Sequence, residues 1–117
     1  MPANVILVHD DPEFIDGAVA ALRLAGHKVD MFREPMEALS ALETAQFAIL
    51  ITRARFPVGQ LNGVALAQMA RMKQPWIKVV FTIAAENLEY TERIGEAVIA
   101  PIDIAELVAS VAKLASD

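Results

Sequence analysis

The 117-residue chain contains no cysteine. That absence excludes a disulfide framework, a thiolate zinc site and a cysteine nucleophile together. No apolar run is long enough to cross a bilayer. The first residues, MPANVILVHDDP, lack the basic stretch and long apolar core of a secretion signal. Low-complexity tracts and Ser/Gly linkers are also missing. Basic charge is scarce: 10 Lys and Arg stand against 15 Asp and Glu, for a net charge of −5 and a pI of about 4.9. That balance argues against nucleic acid or an anionic membrane as the main partner. What is abundant is apolar, 56% of residues with a mean hydropathy of +0.42, which excludes a disordered chain. A chain of this length buries roughly two-thirds of its unfolded surface, so it needs neither disulfide nor metal to fold. Composition therefore predicts one cytoplasmic domain over residues 1–117, standing alone.

Short apolar runs alternate with helical patterns. Val5 to Val8 is a β-branched run between Asn4 and His9-Asp10-Asp11-Pro12, read as a strand buried on both faces. Phe14, Ile15, Ala18, Val19 and Leu22 follow at helical spacing, and Gly26 is placed to stop that helix. His27 to Phe32 forms a second strand. Pro35 opens a second helix carrying Met36, Leu39 and Leu42. Phe47 to Thr52 is a third strand, followed by a loop from Arg53 to Gly63 with Pro57 and Gly59. A third helix starts at Val64 and ends before Pro75. Ile77 to Thr82, a short helix over Asn87 to Ile94, and a fifth strand over Glu96 to Ala100 come next. Ile104, Leu107, Val108, Val111 and Leu114 stripe a last helix, with Asp103 as its N-cap. Five βα units in succession demand parallel strands with right-handed crossovers. The fold class is thus α/β, a doubly wound five-stranded parallel sheet.

Function in such a sheet collects at the carboxyl ends of the strands. There the sequence offers Asp10 and Asp11, Arg53, Ile83 and Ala84, and Ala100 before Pro101. Two adjacent carboxylates can hold a hard cation such as Mg²⁺ through oxygen ligands. They can equally start a helix by capping it. His9 could extend them to a His-Asp-Asp ligand set, but neighbours on a strand point to opposite faces, which favours a packed histidine. Met69 and Met72 read as filling at a helix surface.

Together, ILVHDDPEF, ILITRARFPVGQLNGVAL, VVFTIAA and VIAPIDIAEL resemble the receiver domain of bacterial response regulators, over essentially the whole chain. The resemblance implies a flavodoxin-like (βα)5 fold and a part in two-component, phosphorelay signalling. A phosphorylatable receiver binds Mg²⁺ and takes a phosphoryl group from a histidine kinase onto an Asp ending strand three. A Thr or Ser after strand four and a Lys before a Pro after strand five respond to it. Here the acidic pair matches Asp10 and Asp11. The acceptor position falls on Arg53, with Pro57 four residues later fixing the register, and the loop to Gly63 is about two residues longer than usual. The hydroxyl position is assigned to Ile83, with Thr82 one residue too early, the Lys to Ala100, and the aromatic switch to Ala97. The chain thus resembles a degenerate receiver, a pseudo-receiver that acts by protein contact and is not an enzyme.

A guanidinium has no lone pair to attack phosphorus and stays protonated at cellular pH. A cation beside Asp10 and Asp11 also opposes Mg²⁺, so no cofactor is expected. One reading lays Arg53 against one or both carboxylates in place of the metal; the other leaves it in solvent. A working receiver phosphorylated instead at Asp10 or Asp11 is the alternative function. A metal-dependent phosphatase would need an acidic nucleophile and a cap that so short a chain does not supply. Charge is also segregated along the sequence. Residues 44–85 carry Arg53, Arg55, Arg71, Lys73 and Lys78 with no acid. The last third carries Glu86, Glu89, Glu92, Glu96, Asp103, Glu106 and Asp117 against Arg93 and Lys113. This is either a solvated face or the acidic flank, from the fourth helix to the fifth, on which a protein partner docks. The resemblance implies a histidine kinase, another regulator or a second copy as that partner.

Overall fold

The computed structural model describes residues 2–56, 61–85, 88, 91 and 93–116. Its elements are β1 (Asn4–Val8), α1 (Pro12–Leu24), β2 (Lys28–Phe32), α2 (Pro35–Thr44), β3 (Ile49–Arg53), α3 (Gly63–Lys73), β4 (Lys78–Ile83), β5 (Glu96–Ile99) and α4 (Ile104–Ser116). Every strand pairing is parallel, in the order β2-β1-β3-β4-β5. The doubly wound five-stranded sheet expected from the sequence is therefore present. The short helix expected over Asn87 to Ile94 falls largely outside the described residues, as do Pro57 and Gly59.

Strand alternation divides the core in two. Ile6, Val8, Leu50, Val79 and Phe81 pack with Leu39 and Leu42 of α2 and with Leu66 and Ala70 of α3. Val5, Leu7, Ile49, Ile51 and Val80 pack with Ala18 and Leu22 of α1 and with Leu107 and Val111 of α4. This is why β1 reads as an unbroken apolar run: both of its faces are covered. Leu107 and Val111 are fully buried, and each contributes about 1.5–3 kcal/mol to docking α4.

Helix ends follow local chemistry. Asp11 caps α1 by accepting from the Glu13 N–H at 3.1 Å. Gly26, at φ 98°, closes its other end, with the Gly26 N–H bonded to the Arg23 carbonyl and the His27 N–H to the Leu22 carbonyl. Asn62 caps α3 and Asp103 caps α4 through their side-chain oxygens. Two of the strand starts that move from the sequence reading, those of β2 and β3, do so for a tertiary reason. His27 belongs to the helix closure, and its ring accepts the Ala3 N–H at 3.0 Å. Phe47 is held by side chains rather than by the ladder. Its N–H bonds Gln74 Oε1 at 2.9 Å, and its carbonyl accepts from Trp76 Nε1 at 3.1 Å.

Candidate functional site

The order β2-β1-β3 puts the topological switch between β1 and β3, so the residues just after β1 meet the end of β3. His9, Asp10 and Asp11 leave β1, and Arg53 ends β3. The structure brings Arg53 and Asp10 together: guanidinium Nη1 lies 2.5 Å from Asp10 Oδ1. Both side chains are partly exposed, at 39% and 26%. Burial pushes the Asp10 carboxyl up, but the hydrogen bond and charge of Arg53 outweigh it and hold the group below its ordinary value. Asp11 does not join the pair. It is exposed and occupied with its helix cap.

Gly63 lets Arg53 sit where it does. A Cβ at Gly63 would overlap the Arg53 carbonyl, and the Gly63 N–H bonds the Ala54 carbonyl at 3.1 Å. His9 is packed at the strand end, its ring 4.2 Å from that of Phe14. Its Nδ1 accepts the Asp11 N–H at 3.1 Å, which requires that nitrogen to be unprotonated. Burial first, and the Arg53 charge second, push its pKa down to about 4. His9 is thus neutral at pH 7 and already committed to backbone.

The strand register turns the last two residues of β4 to opposite faces. Arg53 pairs with Thr82 in the β3–β4 ladder, and Ile83 points to the opposite face, into the core with α2 and α3. Thr82, assigned no role from the sequence, lines the cleft with Arg53 and Asp11. Ile83 and Ala84 border that cleft as well. Phe81 and Ile83 are large apolar residues that share a face, which turns Thr82 the other way. Ala100 lines the same cleft, and its bond to Pro101 is cis. Ala97 is half-buried against the core under α2 and α3.

The flank read as acidic is mixed where it is described. Glu96 lies 3.6 Å from Lys113 and shares a groove with Arg71, Lys78 and Arg93. Asp103 caps α4, and Glu106 is exposed in its first turn. Glu96 therefore stands near the far end of α4 from Asp103 and Glu106. Glu86, Glu89, Glu92 and Asp117 lie outside the described residues.

Both carboxylates of the acidic pair are engaged within the chain. One carboxylate of the pair holds a guanidinium and the other a backbone N–H. No three His, Cys, Asp or Glu side chains among the described residues gather as a metal-ligand group. No helix among the described residues is long and apolar enough to cross a membrane.

No family model and no curated protein matches the sequence. Solved structures do match. The receiver domain of Francisella response regulator 1452 superposes with a TM-score of 0.83 at 19% identity, covering 97% of each chain. A CheY-like response regulator receiver domain protein from Methanospirillum hungatei gives 0.84 at 20%, covering 99% of this chain and 96% of that one. Chemotaxis response regulator CheY4 of Vibrio cholerae gives 0.84 at 19%, covering 97% and 99%. The chain has the receiver-domain fold. Within that receiver fold, the ends of β1, β3 and β4 carry an acidic pair, an arginine and a threonine, and Ala100 follows β5.

Proposed function

We propose that the chain is an atypical receiver, which signals by protein–protein contact without phosphorylation at the end of β3. The observation that carries this reading is the Arg53 guanidinium on Asp10. It puts a non-nucleophilic cation at the acceptor position and neutralises the carboxylate a metal would need. With Ala100 in place of a cationic side chain, the pocket also lacks an ammonium to clamp a phosphoryl group. Its output surface is then held in one state, or set by a bound partner. On this reading the chain acts by binding rather than by catalysis, and its partner is a protein: a histidine kinase, another regulator or a second copy.

The test is incubation with a small phosphodonor and Mg²⁺, followed by intact-mass analysis and peptide mapping. The reading predicts an unmodified protein. A phosphoryl adduct on Asp10 or Asp11 would overturn it in favour of a working receiver with a displaced acceptor.

A further inference from the structure

Beside the Arg53–Asp10 pair lies an open cleft walled by the first turns of α1 and α4. Thr82 forms part of its floor and is 6% exposed. Among the described residues, Thr82 Oγ1 is the one buried side-chain nitrogen or oxygen with no hydrogen-bond partner. An unpaired buried hydroxyl costs about 1–3 kcal/mol, which a ligand atom would recover. Phe14, Ile102 and Ile104 line the walls, so a bound group would pass along apolar surface.

Charge selects the class of ligand. Arg53, the cation lining the cleft, is already on Asp10. Asp11 and Glu13 line the same cleft, and neither meets a cation in any ion pair among the described residues. Asp103 and Glu106 add acid at the start of α4, while Arg33 donates to the Asp10 carbonyl. Carboxylates thus outnumber uncommitted cations around the opening, so an anion is repelled and a cation attracted. Aliphatic walls with carboxylates and a hydroxyl suit a charged head on an alkyl stem. A single hydroxyl matches a compact ammonium better than a planar guanidinium, whose fork needs paired acceptors.

We propose that this cleft receives the ammonium-tipped side chain of a lysine presented by a protein partner, with Asp11 and Glu13 drawing it in and Thr82 Oγ1 accepting from it. The hydroxyl is closed to solvent, so binding turns the Thr82 side chain between its staggered rotamers. This deepens the protein-contact reading by naming what the partner presents.

The experiment is an NMR titration of the ¹⁵N-labelled chain with Nα-acetyl-lysine methylamide. The norleucine analogue, which lacks the ammonium, and inorganic phosphate serve as parallel arms. The lysine compound is expected to give saturable shifts at Asp11, Glu13, Thr82 and Ile104, and the norleucine compound none. Thr82→Val keeps the side-chain shape and should weaken the lysine compound about fivefold, the size of one hydrogen bond. Asp11→Asn with Glu13→Gln should remove its salt dependence. A thermal melt verifies that each variant is folded. Equal shifts with norleucine, phosphate shifts at these residues without lysine shifts, or no saturable response to lysine would each overturn the proposal. The probe carries neither metal nor phosphoryl group. A failed titration therefore leaves the Arg53–Asp10 reading standing, and a phosphoryl adduct sinks that reading alone.

Discussion

Replacing Arg53 by Met would leave Asp10 and Asp11 as adjacent, uncompensated carboxylates. The present pair is partly exposed, so its loss should destabilise the fold by about 1–2 kcal/mol, between the values for surface and buried pairs. Urea unfolding would measure this. Added Mg²⁺ should restore part of the lost stability in Arg53→Met and do nothing for the wild type. Thr82→Val acts in the opposite direction: removing a buried hydroxyl with no partner should stabilise the chain by about 1 kcal/mol, read as a higher Tm. The histidines set the acid limit. His9 is pushed down to about 4, and His27 is lowered by burial and then by the N-terminal charge. A depressed histidine means that the unfolded chain binds the proton more tightly. Stability is then full above the unfolded pKa of about 6.5 and is lost as pH falls toward the folded value. His9 alone should remove about 2 kcal/mol between pH 7 and pH 5. Asp10, held low by Arg53, extends the loss below its unfolded pKa of about 4. Urea unfolding at the two pH values checks this, and His9→Gln should flatten the difference.

The junction of β3 with α3 depends on Gly63, where a Cβ would overlap the Arg53 carbonyl. Gly63→Ala should therefore cost about 1–3 kcal/mol through overpacking and displace Arg53 from Asp10. Loss of Tm, with the Asp10 carboxyl returning toward its ordinary pKa by NMR, would show both. Elements such as β1 and α1 were legible from the chain because their signals are local: a β-branched run ahead of Asp11, and Gly26 at a positive φ. The start of β3 was not, because Gln74 and Trp76, 27 and 29 residues away, take the Phe47 backbone groups. No pattern within a short window carries that information. Thr82's place in the cleft was hard to read for a different reason: at a strand end, an offset of one residue turns a side chain onto the other face. Charge alone left Arg53 open between the two carboxylates and solvent; its seat on Asp10, and Asp11's separation from the pair, emerge only from the folded geometry.

Across the whole molecule, the parallel sheet gathers its chemistry at one end, where β1, β3 and β4 finish and α1 and α4 begin. The opposite end carries the mixed groove of Arg71, Lys78, Arg93 and Glu96. Charge segregation in the sequence therefore does not become a uniformly acidic flank among the described residues. Binding of a basic partner at the cleft should weaken as salt rises, chiefly through a slower association rate, measurable by stopped-flow mixing. The receiver fold explains how the site is assembled, and the proposed reading adds that Arg53 on Asp10 makes the assembly silent toward phosphoryl transfer. That claim is tested most directly by calorimetric titration of the wild-type chain with Mg²⁺. The Arg53–Asp10 pair predicts no saturable heat at millimolar metal. Tight, stoichiometric binding abolished by Asp10→Asn would show that the guanidinium yields the carboxylate to a cation, and would contradict the account.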